Sequence, residues 1–343
     1  MDDTQMNGAS PRLTLLLSGF AHKVWGARIA AAVPGRQLVV LKAEEAFRAG
    51  APCEADIAFM TREVTGNSAG NNPSPELRQF ESVLRNALRL RWLQIHPAGA
   101  EREIYRELRA RGVKVTTGSG ATAVTVAHST LAAVIALNRR FPLLADAQRR
   151  HAWEPRWGER APRDLKGQCA VIVGLGPIGR NIAALLKVVG MSVIGVRRSP
   201  EPVEPCDRTV TYAGLGSVLP GADWLILCCP ASPLTQGLVD SVAFAAMPTG
   251  AHFVNIARGE VVDERALIAA LASGKLSGAY LDVFEREPLD PASPLWDLPN
   301  VIISPHTAGH SQGQQEAVLD IFLDNLQRWC GGRKLRNDVD DLG

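Results

Sequence analysis

Along most of its length this chain alternates short apolar runs with segments of helical spacing, a pattern that restricts it to parallel sheets covered by helices on both faces. LTLLL (13–17), QLVVL (37–41), ADIAFM (55–60), LRWLQI (90–95) and VKVTT (113–117) read as strands. WGARIAAAV, SPELRQFESVLRNAL and AEREIYRELRARG have helical spacing between them, the last ending at Gly112. One long apolar helix is expected over 123–147. A second alternating series follows: CAVIVG (169–174), the helix IGRNIAALLKVVG, then MSVIGV (191–196), WLILCCP (224–230), HFVNIA (252–257), GAYLDVF (278–284) and VIIS (301–304). A helix over 312–329 comes after the strands of that series. The first ten residues are expected to be disordered.

At 343 residues the chain is long enough for two α/β domains. A hydrophobic fraction of 46% and a charged fraction of 21% suit a soluble globular protein. A net charge of +2, without long blocks of like charge, argues against a nucleic-acid partner. The six cysteines form no CxxC pair, and Cys228-Cys229 lie in an apolar run that reads as buried strand. Neither a disulfide framework nor a zinc site is expected, which favours a reducing cytoplasm. The leading MDDTQMNGASPR is polar and acidic, and the apolar stretch after it is too short for export or for spanning a membrane.

The first chemical motif is GLGPIG, carrying Gly174, Gly176, Pro177, Ile178 and Gly179. It closes an apolar strand and opens a helix, so its glycines let the backbone approach a pyrophosphate that the helix amides attract. A tight turn with no ligand is the bland alternative. Dinucleotide sites for NAD usually carry Asp or Glu about 20 residues on. Here the strand ends in VIGVRRSP, placing Arg197, Arg198 and Ser199 where the acid would stand. A guanidinium can pair with a 2′-phosphate that a carboxylate would repel. NADP(H) is therefore favoured, with NAD(H) also open; two solvated arginines are the competing reading.

Downstream come NIARGEVVDERAL with Arg258, LDVFEREPL with Glu287 and VIISPHTAGH with His306. A guanidinium can hold a carboxylate and polarise the neighbouring keto oxygen. An imidazole can give and take a proton near neutral pH, and a carboxylate beside it can orient it and stabilise its charged form. Each has an ordinary alternative: a surface ion pair of Arg258 with Glu260 or Asp263, an exposed acid at Glu287, a structural histidine. Asp263 itself reads as the N-cap of ERALIAALASG. His306 and His310 are four apart, but Pro305 and Gly309 oppose a regular helix and no third ligand is evident, so no metal is expected.

Order and context of this trio, with the glycine turn, closely resemble the D-isomer-specific 2-hydroxyacid dehydrogenase family, in its glyoxylate/hydroxypyruvate reductase-like branch. The resemblance spans nearly the whole chain and is strongest from Leu165 to Gly309. It implies two Rossmann-like, doubly wound parallel-sheet domains with the active site in a cleft between them. The first, residues 1–118 plus 311–343, would bind substrate, and the second, 119–310, the dinucleotide. It implies roles for Arg258 as substrate clamp, His306 as proton donor and Glu287 as its partner, and a homodimer. Asp282 matches an aspartate that contacts the nicotinamide carboxamide, and Pro230, followed by SPLTQGLV, matches a loop lining the cofactor. WLQIHPAGAER (92–102) resembles the loop whose amides receive the substrate carboxylate, with Ala98 and Gly99 the best matches. Met60 to Arg62 and Trp296 are further candidate walls of the substrate pocket. The chain departs from the family pattern at Glu101, where Asp is frequent, and at His128-Ser129, where relatives commonly read Glu-His. The reaction implied is reduction of a small 2-oxo acid, glyoxylate or hydroxypyruvate first, to the D-2-hydroxy acid. Rival readings are a nicotinamide-sensing, corepressor-like module and a formate or phosphite dehydrogenase.

Overall fold

The computed structural model describes residues 12–66, 73–155 and 161–342; the first ten residues lie outside them. The chain divides into two compact units, Met1–Ala121 with Gln312–Gly343, and Thr122–Ser311.

In the first unit, β1 (Arg12–Leu17), β2 (Gln37–Lys42), β3 (Ile57–Met60), β4 (Trp92–Ile95) and β5 (Lys114–Thr116) form a parallel sheet ordered β2-β1-β3-β4-β5. β1, β3 and β4 are interior and buried on both faces, which is why their sequences are continuously apolar. Leu16, Ala58, Phe80, Leu93 and Leu108 build the core on one face, and Leu15, Trp25, Phe59, Trp92 and Phe322 on the other. The late helix Gln314–Cys330 supplies Phe322, whose ring stacks on Phe59 at 4.3 Å and on Trp92 at 5.4 Å.

The second unit holds β6 (Cys169–Val173), β7 (Ser192–Arg197), β8 (Arg208–Thr211), β9 (Trp224–Leu227), β10 (Ala251–Asn255), β11 (Leu276–Leu281) and β12 (Val301–Ile303). They pair in parallel in the order β12-β11-β10-β9-β6-β7-β8. The order reverses at β6, between β7 and β9, and such switch points are where open α/β sheets bind ligands. The fold class is the doubly wound, two-sheet one expected.

Three local details differ from the expectations. The stretch 123–147 is two helices, Ala123–Asn138 and Phe141–Arg149, broken at Arg140, whose φ of 57° is left-handed. Pro142 explains the break, since proline suits the first turn of a new helix and not the interior of an old one. β8 went unread because only Val210 of RTVT is apolar and buried, as on an edge strand. Cys228 and Cys229 lie just beyond β9 rather than within it.

Candidate active site

The glycine turn is built by close contacts. Gly174 follows β6 at φ 101°, and a Cβ there would sit 2.7–2.8 Å from the backbone of Cys228 and Cys229. A Cβ on Gly179 would fall 2.0 Å from Gly174 O, so only glycine lets the helix start this near the strand. Gly176 is different: it is exposed, and its Cβ would meet nothing within 4 Å. It caps the helix Pro177–Val188 without any side-chain cap, with Pro177 and Ile178 in the first turn. The opening amides are left for an anion, and the open face at Gly176 gives a pyrophosphate room to approach. The residues fit a dinucleotide.

Arg197 ends β7, half-buried, followed by exposed Arg198 and by Ser199, whose hydroxyl accepts from Glu201 N. Beyond β9 the Pro230 carbonyl accepts a 2.7 Å hydrogen bond from the hydroxyl of Thr235, a buried residue of the PLT segment. That bond closes the turn from Pro230 to Thr235 on itself.

The trio comes from consecutive carboxyl ends of β10, β11 and β12. His306 Nδ1 lies 2.7 Å from Glu287 Oε2. Burial pushes the Glu287 carboxyl up, but the hydrogen bond and charge of His306, the Phe284 amide and the Arg258 guanidinium outweigh it and hold it below the ordinary carboxylate range. An ionised carboxylate only accepts, so Nδ1 carries the proton and Nε2 is the ring position left for exchange. Arg258 stands just past β10 in extended backbone, half-buried, with Nη1 donating to Ala257 O at 2.8 Å. Next to it, a Cβ on Gly259 would lie 2.0 Å from the carbonyl of Phe284, so the Arg258 and Glu287 loops meet backbone to backbone. Asp263, the alternative partner for Arg258, instead N-caps the helix Glu264–Ala272 through the amide of Ala266 at 3.0 Å.

His306 is a non-glycine residue at φ 55°, held there by Asp282. The buried Asp282 Oδ1 accepts from Ser304 Oγ at 2.5 Å, Thr307 N at 2.8 Å and Ala308 N at 3.0 Å, while its carbonyl accepts from His306 N at 2.9 Å. Tyr280 and Ser304 hydroxyls are 2.8 Å apart, extending the chain of bonds into β11. Ser129, the departure in the helix Ala123–Asn138, donates to Ala308 O at 2.9 Å, and His128 is exposed. Asn255, Gly259, Tyr280, Ser304 and Thr235 are functional-site neighbours that the fold brings to notice. A polar Asn at the carboxyl end of a strand, directly before Ile256-Ala257-Arg258, is the usable signal among them.

Trp296, on the short turn Pro294–Asp297, is half-exposed and donates its indole N–H to Asp290 O at 2.9 Å. Ala98 and Gly99 follow β4 in the five-stranded unit, Ala98 exposed and Gly99 half-buried. In that unit Met60 ends β3, and the Arg62 guanidinium binds the side-chain oxygen of Gln314. Among the described residues no group of three or more His, Cys, Asp or Glu side chains is placed to hold a metal.

Comparison with known proteins places this geometry. A D-3-phosphoglycerate dehydrogenase from Archaeoglobus fulgidus is 30% identical over 67% of this chain, which spans 43% of that longer protein. A glyoxylate/hydroxypyruvate reductase B from Klebsiella pneumoniae is 34% identical, over 68% of this chain and 72% of its own length. The solved NADPH-dependent glyoxylate/hydroxypyruvate reductase from Sinorhizobium meliloti, in complex with NADP and sulfate, is 26% identical with a TM-score of 0.74, covering 97% of this chain and 99% of its own. Residues 131–308 match the D-isomer specific 2-hydroxyacid dehydrogenase NAD-binding domain. On that match and these relatives, the chain belongs to the D-isomer specific 2-hydroxyacid dehydrogenase family.

Proposed function

We propose that this protein reduces a small 2-oxo acid, glyoxylate or hydroxypyruvate, to the D-2-hydroxy acid with NADPH. The observation that carries the reading is the 2.7 Å pair of His306 with an ionised Glu287, with Arg258 on the neighbouring strand end. When bound, the nicotinamide supplies the hydride. Arg258 holds the substrate carboxylate in its planar fork and polarises the keto oxygen. His306 delivers the Nε2 proton to that oxygen in reduction and takes it back in oxidation. Glu287 keeps the ring oriented and balances the imidazolium charge.

Gly174, Gly176, Pro177, Ile178 and Gly179 would hold the pyrophosphate. Arg197, Arg198 and Ser199 would bind a 2′-phosphate, while Pro230 and Asp282 would flank the nicotinamide. Each charge-assisted bond to the phosphate contributes about 1.5–3 kcal/mol, which is the basis for favouring NADP(H) over NAD(H). Ala98, Gly99 and Trp296 carry over from the family as substrate contacts. Residues 119–310 form the dinucleotide domain in this reading, and 1–118 with 311–343 the substrate domain. A homodimer in the cytoplasm completes it; among the described residues no helix is long and apolar enough to cross a membrane.

The test is NADPH and NADH oxidation with glyoxylate, hydroxypyruvate, pyruvate and phenylpyruvate, repeated on Arg197→Asp. The expected result is turnover with an NADPH preference that the variant erodes about tenfold to a hundredfold. Cofactor binding without turnover on any acid would overturn the enzyme reading, and an unchanged preference in the variant would return the arginines to the surface.

A further inference from the structure

Asn255 is the last residue of β10, an interior strand between β9 and β11, and it is 2% exposed. Its side chain is used on both edges by the chain that follows. Oδ1 accepts from Ala257 N at 3.0 Å, and Nδ2 donates to Arg258 O at 3.1 Å. Its backbone carbonyl accepts from Asp282 N at 3.0 Å, tying the same residue to the end of β11. One buried amide thus brackets the peptide that delivers Arg258, while Gly259 fixes the far side against Phe284.

The chemistry of the bracket is specific. It needs one acceptor and one donor on a short planar group. Aspartate supplies the acceptor for Ala257 but, when ionised, turns a second lone pair toward the Arg258 carbonyl; leucine fills the volume and does neither. Asn255 also makes no bond that the sheet itself needs with its side chain, since β10 pairs through its backbone.

We propose that Asn255 is a positioning residue that sets where the Arg258 guanidinium is presented. This rests on the reading of Arg258 as the substrate clamp. Loosening the bracket lets the strand end splay, so the guanidinium samples positions from which it neither binds the carboxylate nor polarises the keto oxygen. A misplacement of about 1 Å can cost up to about 10²-fold without any change at the reacting groups.

The experiment measures kcat and KM for the best 2-oxo acid, NADPH affinity by fluorescence and thermal midpoints. It compares wild type, Arg258→Ala, Asn255→Asp and the Asn255→Asp/Arg258→Ala double variant. Asn255→Leu serves in place of Asn255→Asp if the latter does not fold. Asn255→Asp is expected to lower kcat/KM about tenfold to a hundredfold, with KM raised and kcat reduced and NADPH affinity within about twofold. On the Arg258→Ala background the same change should cost less than about twofold, because the group it positions is gone. The Asn255→Asp deficit should also deepen with rising pH relative to wild type, since a protonated carboxyl can still donate to the Arg258 carbonyl and an ionised one cannot. A damaged Arg258→Ala with an undamaged Asn255→Asp overturns the inference alone. Full additivity in the double variant also overturns it, in favour of a structural role. Near-normal turnover in Arg258→Ala removes the clamp, and this role for Asn255 falls with it.

Discussion

The two ends of the seven-stranded sheet use buried polar side chains for opposite purposes. At the amino ends, Trp224 Nε1 donates to Gln168 Oε1 at 2.7 Å, and Gln168 Nε2 donates to Asn138 Oδ1 at 3.1 Å and Asp164 O at 2.9 Å. His252, the second residue of β10, stacks on Trp224 with ring centroids 4.2 Å apart. This network ends on the carbonyls of Asp164 and Arg163, just before β6. At the carboxyl ends, Asn255 and Asp282 spend their side chains on the backbone of the loops carrying Arg258 and His306. The same strand, β10, bears both kinds of residue three positions apart, at His252 and Asn255. In this sheet the buried polar groups at the carboxyl ends hold the loops beside the candidate site, while those at the amino ends hold the packing around β6 and β9.

Variants can break that contrast. The largest effect is expected at the carboxyl end: His306→Ala should reduce kcat by about 10²–10⁴-fold, with NADPH affinity and thermal midpoint little changed. Near-normal turnover in steady-state assays would remove the imidazole from the chemistry.

An intermediate effect belongs to the amino end and to stability alone. Burial, helped by the nearby Arg140 and Arg163 and opposed by Asp223, lowers the His252 pKa from 6.5 to about 4. The unfolded chain then takes up a proton below pH 6.5 that the folded chain refuses until about pH 4. The stability held by the neutral ring is complete above that window and is lost as pH falls through it, by at most about 3 kcal/mol. His252→Phe keeps an aromatic ring for Trp224 and removes the titration. Urea unfolding at a series of pH values should show the wild type declining more steeply than the variant, and parallel curves would contradict the assignment.

The smallest effect sharpens the comparison. Gln168→Leu leaves the buried Trp224 N–H without its acceptor and should destabilise by about 1–3 kcal/mol. Its kcat and KM should stay within about twofold of wild type. A large kinetic defect there would show that the two ends are coupled.

What could be read before folding divides along physical lines. Interior strands such as IAFM and WLIL are apolar on both faces because both faces are covered, so they are visible as runs. The glycine turn and the trio are legible because each needs particular residue types at short spacing. The edge strand RTVT gives almost no apolar signal, and the break at Arg140 depends on a proline two residues later. Asn255, Ser304 and Ser129 act through contacts with sequence-distant or backbone groups, and a lone polar letter does not announce such a partner. Asp282 was read as a cofactor contact; the bonds from Ser304, Thr307 and Ala308 to one of its oxygens lie in a pairing 22 to 26 residues away that only the folded chain brings together.

The left-handed backbone at His306 has a consequence for how such a protein can change. Glycine, with no Cβ, would rest more comfortably at φ 55° than histidine, by about 1 kcal/mol. With His306 as the proposed proton donor, replacement by glycine would relax this backbone while removing the imidazole, and the fold could persist without it. On the proposed function, the turn at His306 is where loss of activity and gain of robustness would point the same way.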